Sequence, residues 1–262
     1  MKLEILELND RKARFVLTEV NPAFANGLRR AMLSDVPKMA IDYVDIYDNT
    51  SVLFDEMLAL RLGLIPIKTD PDKFELQSEC DCKGAGCALC QVTFTLSAEG
   101  PCMVHSSDMK SSDPETVPAD DTVPIVELKE GQKIVLTAVA RLGFGTEHSK
   151  FQPVCAAGYK NMPVISISEK CDLCKECIDV CPRGMFKVEK NKLVATDVTK
   201  CSLCKLCSEA CDTGAITVST DNTSFIYTVE TDGSYSAQDI IVRAAQSIKG
   251  RAEQLGDILE NF

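Results

Sequence analysis

The sequence predicts an α+β protein made of more than one compact unit, and three observations carry that reading. Helical periods lie toward the two ends of the chain while its middle is rich in period-two stretches, one segment around eight cysteines is duplicated, and 262 residues exceed the usual size of a single domain. Apolar residues make up 45% and charged residues 26%, an ordinary globular balance. The longest apolar runs, such as Ile134 to Ala140, fall short of the ~18 residues needed to span a bilayer. The N-terminus interleaves charges with apolar residues and lacks a secretory apolar region. A cytoplasmic protein that meets no membrane is expected. A net charge of −11 argues against direct wrapping of nucleic acid, which needs cations to displace counterions from phosphates.

Taken in order, residues 2–8 and 12–18 alternate apolar and polar side chains around Asn9-Asp10, the turn chemistry of a hairpin. Asn21-Pro22 reads as a helix cap followed by proline at the first helical position, and Phe24, Leu28, Ala31 and Met32 recur at helical spacing until Pro37. Arg29 and Arg30 lie beside that stripe. Met39 to Tyr47 alternates as a strand, and Asp55 to Leu64 reads as a helix capped by Asp55 and closed by Gly63 and Pro66. Gln91 to Ala98 and Lys133 to Ala140 return to period two, while Ser106 to Asp121, dense in Ser, Asp and Pro, is expected as a surface loop. Residues 223–229 form one more strand. Near the C-terminus Ile241, Ala245, Ile248, Ala252, Leu255, Leu259 and Phe262 step as a heptad seam. It serves either another subunit or the helix's own domain. Gly250 and Gly256 each lower helix propensity by about 1 kcal/mol, so this helix depends on what it packs against.

Fourteen cysteines in a reducing compartment point to metal rather than disulfides. Cys171, Cys174, Cys177 and Cys181, followed by Pro182, form C-x2-C-x2-C-x3-C, and Cys201, Cys204, Cys207 and Cys211 repeat the spacing. Leu173 maps on Leu203, Lys175 on Lys205, Gly184 on Gly214, Phe186 on Ile216 and Val188 on Val218, so a whole supersecondary unit is duplicated. The pattern resembles the bacterial two-cluster ferredoxin, in which the fourth cysteine of each run ligates the other cluster. That resemblance implies one [4Fe–4S] cluster on Cys171, Cys174, Cys177 and Cys211, and a second on Cys201, Cys204, Cys207 and Cys181. Zinc or free thiols are the alternative. Asp212 stands where the ferredoxin pattern has proline. Cys80, Cys82, Cys87 and Cys90 lie in a glycine-containing loop and offer four thiolates to one Zn²⁺, or form a metal-free loop. Cys102 and Cys155 remain, with Cys155 expected as a small core residue. His105 and His148 are expected in structural or surface roles. No phosphate-binding loop, dinucleotide fingerprint or nucleophile elbow is present, so no catalytic residue is expected.

The stretch Asn21-Pro-Ala-Phe-Ala-Asn-Gly-Leu-Arg-Arg-Ala-Met-Leu-Ser-Asp-Val-Pro37 and the stretch Leu53-Phe-Asp-Glu-Met-Leu-Ala-Leu-Arg-Leu-Gly-Leu-Ile-Pro-Ile67 resemble the alpha-like assembly subunits of cellular RNA polymerases, in particular the archaeal D subunits. Asn26-Gly27-Leu28-Arg29-Arg30 resembles the family's first dimerisation helix, Gly145 to Pro153 a segment of its inserted domain, and the C-terminal seam its second dimerisation helix. The resemblance implies an alpha-subunit-like dimerisation domain at 1–45 and 222–262, an inserted β-rich domain at 46–165 and a ferredoxin-like iron–sulfur domain at 166–221. It implies a non-catalytic platform of DNA-directed RNA polymerase. The expected partners are a small L-type subunit in a heterodimer, the two large catalytic subunits and other small subunits. Leu28, Arg29, Arg30 and the C-terminal seam are the implied interface residues. The clusters would be structural, or would make assembly sensitive to redox state. The rival reading is a ferredoxin-type electron-transfer subunit of an oxidoreductase, supported by the cysteine segment alone.

Overall fold

A computed structural model describes residues 1–261, so Phe262, the last member of the expected seam, lies outside the described residues. The chain opens with β1 (Lys2–Leu8) and β2 (Lys12–Thr18), α1 (Pro22–Ser34), β3 (Lys38–Asn49) and α2 (Asp55–Gly63). The middle is β-rich: β4 (Gln91–Glu99), β5 (Cys102–His105), β6 (Lys110–Ser111), β7 (Pro124–Leu128), β8 (Lys133–Gly143) and β9 (Val154–Ile167). Then come α3 (Glu176–Asp179), β10 (Phe186–Glu189), β11 (Lys192–Ala195), α4 (Leu206–Glu209), β12 (Ile216–Thr231) and α5 (Ala237–Glu260). Among the described residues no helix is long and apolar enough to cross a membrane.

The chain divides into two units. The first comprises residues Met1–Leu6, Arg14–Asn26 and Gly158–Thr228, and the second Glu7–Ala13, Gly27–Ala157 and Val229–Phe262. In the first unit β1, β2, β12 and β9 form a sheet in that order, joining strands far apart in sequence. Phe15 stacks on Tyr227 at 4.8 Å, and Tyr159 meets Phe225 edge-on at 5.4 Å. The Tyr227 hydroxyl donates to Ala25 O at 2.7 Å, which satisfies a buried phenol. Asn21 caps α1 as expected: its Oδ1 accepts from Phe24 N at 2.7 Å.

The second unit is organised on the antiparallel sheet β3-β8-β4-β6, with β5 and β7 paired beside it in sequence order Cys102↔Leu128 to His105↔Pro124. Leu58 and Leu62 of α2 pack on Met39, Ile41, Phe94, Leu96 and Leu136 in its core. Burial of each such side chain contributes about 1.5–3 kcal/mol. Lys38 is buried and paired with Asp232, so its charge is compensated inside the unit.

Three local expectations are corrected. Asp55 does not cap α2; Phe54 occupies that position without a side-chain bond, and Asp55 Oδ1 instead accepts from Asn49 Nδ2 at 2.7 Å. A carboxylate in a first turn complements the helix dipole whether or not it caps, so composition could not separate the two roles. Gly63 is still helical, and Leu64 ends the helix in right-handed backbone, so no left-handed glycine closes it. The segment 106–121 is not merely a surface loop. Ser106, Met109 and Thr116 are buried, and β6 pairs with β4 through Phe94↔Ser111. The Ser106 hydroxyl donates to Asp120 O and accepts from Val123 N, so local polar bonds replace the apolar period that would have revealed the order.

Candidate metal centres

Three sets of cysteines converge. In the second unit, Cys80, Cys82, Cys87 and Cys90 bring their sulfurs within 4.8 Å of one another, an arrangement able to hold a metal ion. The Cys80–Cys87, Cys82–Cys90 and Cys87–Cys90 sulfur separations are 3.5, 3.6 and 3.8 Å. Tetrahedral Zn²⁺ with Zn–S bonds of about 2.3 Å holds its sulfurs about 3.8 Å apart. Lys83, Gly84 and Gly86 take positive φ and let this short loop turn on itself; a side chain at Gly86 would also collide with Gln91. The four thiols divide electrostatically. The Cys82 amide favours the Cys80 thiolate, but burial and the neighbouring thiols outweigh it and push Cys80 up to about 12. The Cys80 thiol beside Cys82 and loop amides pull Cys82 down to about 7.

In the first unit the eight duplicated cysteines surround two cavities. One is lined by Cys171, Cys174, Cys177 and Cys211, the other by Cys181, Cys201, Cys204 and Cys207. Each set therefore takes three cysteines from one run and the fourth from the other. The backbone repeats along with the sequence. Leu173 and Leu203 have φ of 65° and 61°, Lys175 and Lys205 of 72° and 62°, and Gly184 and Gly214 of 57° and 60°. Left-handed backbone costs a non-glycine residue roughly 1–2 kcal/mol, and here it recurs at matched positions that wrap three thiols around each cavity. Amides of Leu203 and Ala215 donate to the sulfurs of Cys201 and Cys211 at 3.4 and 3.3 Å. The interior between them is partly sulfur: Cys177, Cys201 and Cys207 are buried with Met185, Phe186 and Ile216. Burial raises the thiol pKa of Cys177 and of Cys207, with neighbouring cysteines adding to it.

Cys155 is exposed, a correction to the core role expected for it. On β9 Val154 is buried, whereas Cys155 and the following Ala156 are both exposed. Cys102 is also exposed. His105 and His148 stand at the starts of short 3-10 turns, His148 Nδ1 accepting from Lys150 N at 3.1 Å. Leu28 is buried, Arg29 half-buried and Arg30 exposed.

Helix α5 buries Ala237, Ile240 and Ala244 and is capped by Ser236, whose hydroxyl accepts from Asp239 N at 3.1 Å. The seam lies on another face. Ile241 and Ile248 are half-buried, Ala245 and Ala252 exposed, and Leu255 and Leu259 are 58% and 64% exposed. Sequence reasoning missed two features. Tyr47, Val52, Phe54 and Met57 are exposed near the start of α2; no period marks them. Lys160 and Arg14 reach main-chain carbonyls at Thr199 and Cys201, contacts across long sequence separations that no local pattern encodes.

The fold and its sites define an α+β protein that carries preformed groups of thiols and a C-terminal helix with a partly exposed apolar stripe. The chain belongs to the RNA polymerase Rpb3/Rpb11 dimerisation domain family, which it matches over residues 14–252. It is similar to proteins called DNA-directed RNA polymerase subunit Rpo3. That of Methanosarcina acetivorans is 55% identical over 265 residues, covering 100% of this chain and 99% of the relative. That of Archaeoglobus fulgidus is 48% identical, covering 100% and 98%, and that of Methanothermobacter thermautotrophicus 42%, covering 97% of each.

Proposed function

We propose that this chain is a non-catalytic, D-type assembly subunit of archaeal DNA-directed RNA polymerase in the cytoplasm. It pairs with a small L-type subunit along the α5 seam and presents a platform to the large catalytic subunits. The observation that carries this reading is the seam itself, apolar at heptad spacing and running from half-buried Ile241 and Ile248 to exposed Leu255 and Leu259, in a chain of a dimerisation-domain family. The dimerisation domain is assigned to 1–45 and 222–262, the inserted domain to 46–165 and the cluster domain to 166–221. Anaerobic purification of the tagged native protein will bring down polymerase subunits; recovery of a dehydrogenase or hydrogenase in their place overturns the reading in favour of electron transfer.

The thiol rings fit two [4Fe–4S] clusters in the crossed, ferredoxin-like arrangement, because four sulfurs surround each cavity and main-chain amides donate to sulfur in the manner that stabilises thiolates. Cys80, Cys82, Cys87 and Cys90 fit Zn²⁺ by their close spacing and all-sulfur donor set. Metal when bound supplies the cross-links that a sulfur-rich interior otherwise lacks. Protein reconstituted anaerobically is expected to hold about eight iron and one zinc. Cys181→Ser will first damage the cluster built on Cys201, Cys204 and Cys207, as followed by iron content and cluster spectra; selective loss of the other cluster overturns the crossed assignment.

A further inference from the structure

The two thiol rings are not attached to the first unit in the same way. Lys160 on β9 donates from Nζ to Thr199 O at 2.9 Å and to Cys201 O at 2.5 Å. Arg14 on β2 donates from Nη2 to the same Thr199 carbonyl at 2.7 Å. Both side chains are half-buried, and each leaves a strand of the four-stranded sheet to grip the backbone that presents the first thiol of the second run. The equivalent positions of the first run are Glu169 and Cys171. Among the described residues no side chain donates to their carbonyls, and Lys160 makes no direct ion pair; the Asp197 carboxylate acts on its charge only from beyond ion-pair distance.

The surroundings differ in the same sense. The second cavity is lined by Arg183 and Lys205, the first by Asp172 and Lys175. Cys201 and Cys207 of the second ring are buried, whereas Cys177 alone is buried in the first. Thiolates are held more firmly where cations oppose their charge and where hydrogen bonds fix the loop that carries them.

We propose that Lys160 is the positioning residue of the ring formed by Cys181, Cys201, Cys204 and Cys207. With Arg14 it ties this ring to the sheet, so the two metal centres are inequivalent: this one is retained and the Cys171 ring is labile. The inference rests on the reading that both rings hold iron–sulfur clusters. It gives the protein a graded response, in which the Cys171 centre is lost first while the sheet-bound centre persists.

The test is iron release to a ferrous chelator from the anaerobically loaded full chain, with the phases assigned by Cys174→Ser and Cys204→Ser. The wild type will release about four iron quickly from the Cys171 ring and about four slowly from the other. Lys160→Met will speed the slow phase about tenfold or more, the usual scale for residues that orient metal ligands, and leave the fast phase unchanged. Lys160→Arg, which keeps charge and donors, will restore slow release. Arg14→Gln will give a smaller, equally selective rise, and it carries the test alone should far-ultraviolet circular dichroism show Lys160→Met unfolded. A slow phase unchanged in the variants, equal acceleration of both phases, or wild-type phases in the reverse order overturns the inference while leaving the clusters in place. Wild-type protein that binds no iron overturns the cluster reading, and the inference with it.

Discussion

If α5 pairs with a small L-type subunit as proposed, Ile248→Asp will abolish that pairing while leaving this chain folded. Ile248 sits midway along the α5 seam, half-buried, and beyond the helix's own anchoring residues Ala237, Ile240 and Ala244. A carboxylate there remains hydrated in the free chain, so the fold keeps its core. In a heterodimer it enters an apolar contact without a partner, and an uncompensated buried charge costs about 3–5 kcal/mol. At about 1.4 kcal/mol per tenfold change, the dimer weakens by roughly two to three and a half orders of magnitude. Gel filtration of the co-expressed pair reads this directly. A heterodimer of full strength in the variant would show that α5 is not the seam.

On the proposed cluster and platform roles, replacing the eight duplicated cysteines will spare that pairing and reduce joining to the large subunits. Without metal the cysteine segment has little to fold around, since three of the six buried residues of its core cluster are Cys177, Cys201 and Cys207, and the apolar side chains packed around that cluster, such as Ile178 and Leu193, are only partly buried. The segment then becomes a flexible insertion between β9 and β12. These strands are neighbours in one sheet, and Ser168 N donates to Ala215 O at 2.9 Å where they end, so the insertion's ends stay close. Relative to a six-residue connection, closing a loop of roughly fifty residues costs only about 2 kcal/mol by (3/2)RT ln n. A domain of ordinary stability, about 5–15 kcal/mol, tolerates that. What is lost is the surface of the cluster domain. Two pull-downs, one on the small subunit and one on the large subunits, compare wild type with the cysteine-free variant. Loss of small-subunit pairing would show that the insert supports the dimerisation fold directly, and equal yields in both would leave the clusters without a part in assembly. The expected pattern makes polymerase assembly responsive to iron supply or oxygen without any electron transfer in catalysis.

The cysteine groups were legible from residue order because wrapping three thiols around one point is a local act. It needs short spacings and a few left-handed residues, and Leu173, Lys175 and Gly184 recur in conformation at Leu203, Lys205 and Gly214 as they do in sequence. The Asn21 cap, the first hairpin and the extent of α5 are local in the same way, set by turn chemistry, a capping side chain and helical period. Tertiary structure decided what depends on distant partners. Asp55 could serve as cap or as first-turn charge, and Asn49 chose between them. The 106–121 segment looked featureless until Ser106 found Asp120 and Val123. Cys155 lies in an apolar context, yet with Ala156 it falls on an exposed stretch at the start of β9. Lys160 and Arg14 carry no motif at all; their grip on Thr199 and Cys201 exists because the sheet brings β2 and β9 to a loop far along the chain. Periodicity and spacing record interactions within a few residues, whereas burial, charge pairing and the difference between the two thiol rings are made by neighbours that only the folded chain assembles.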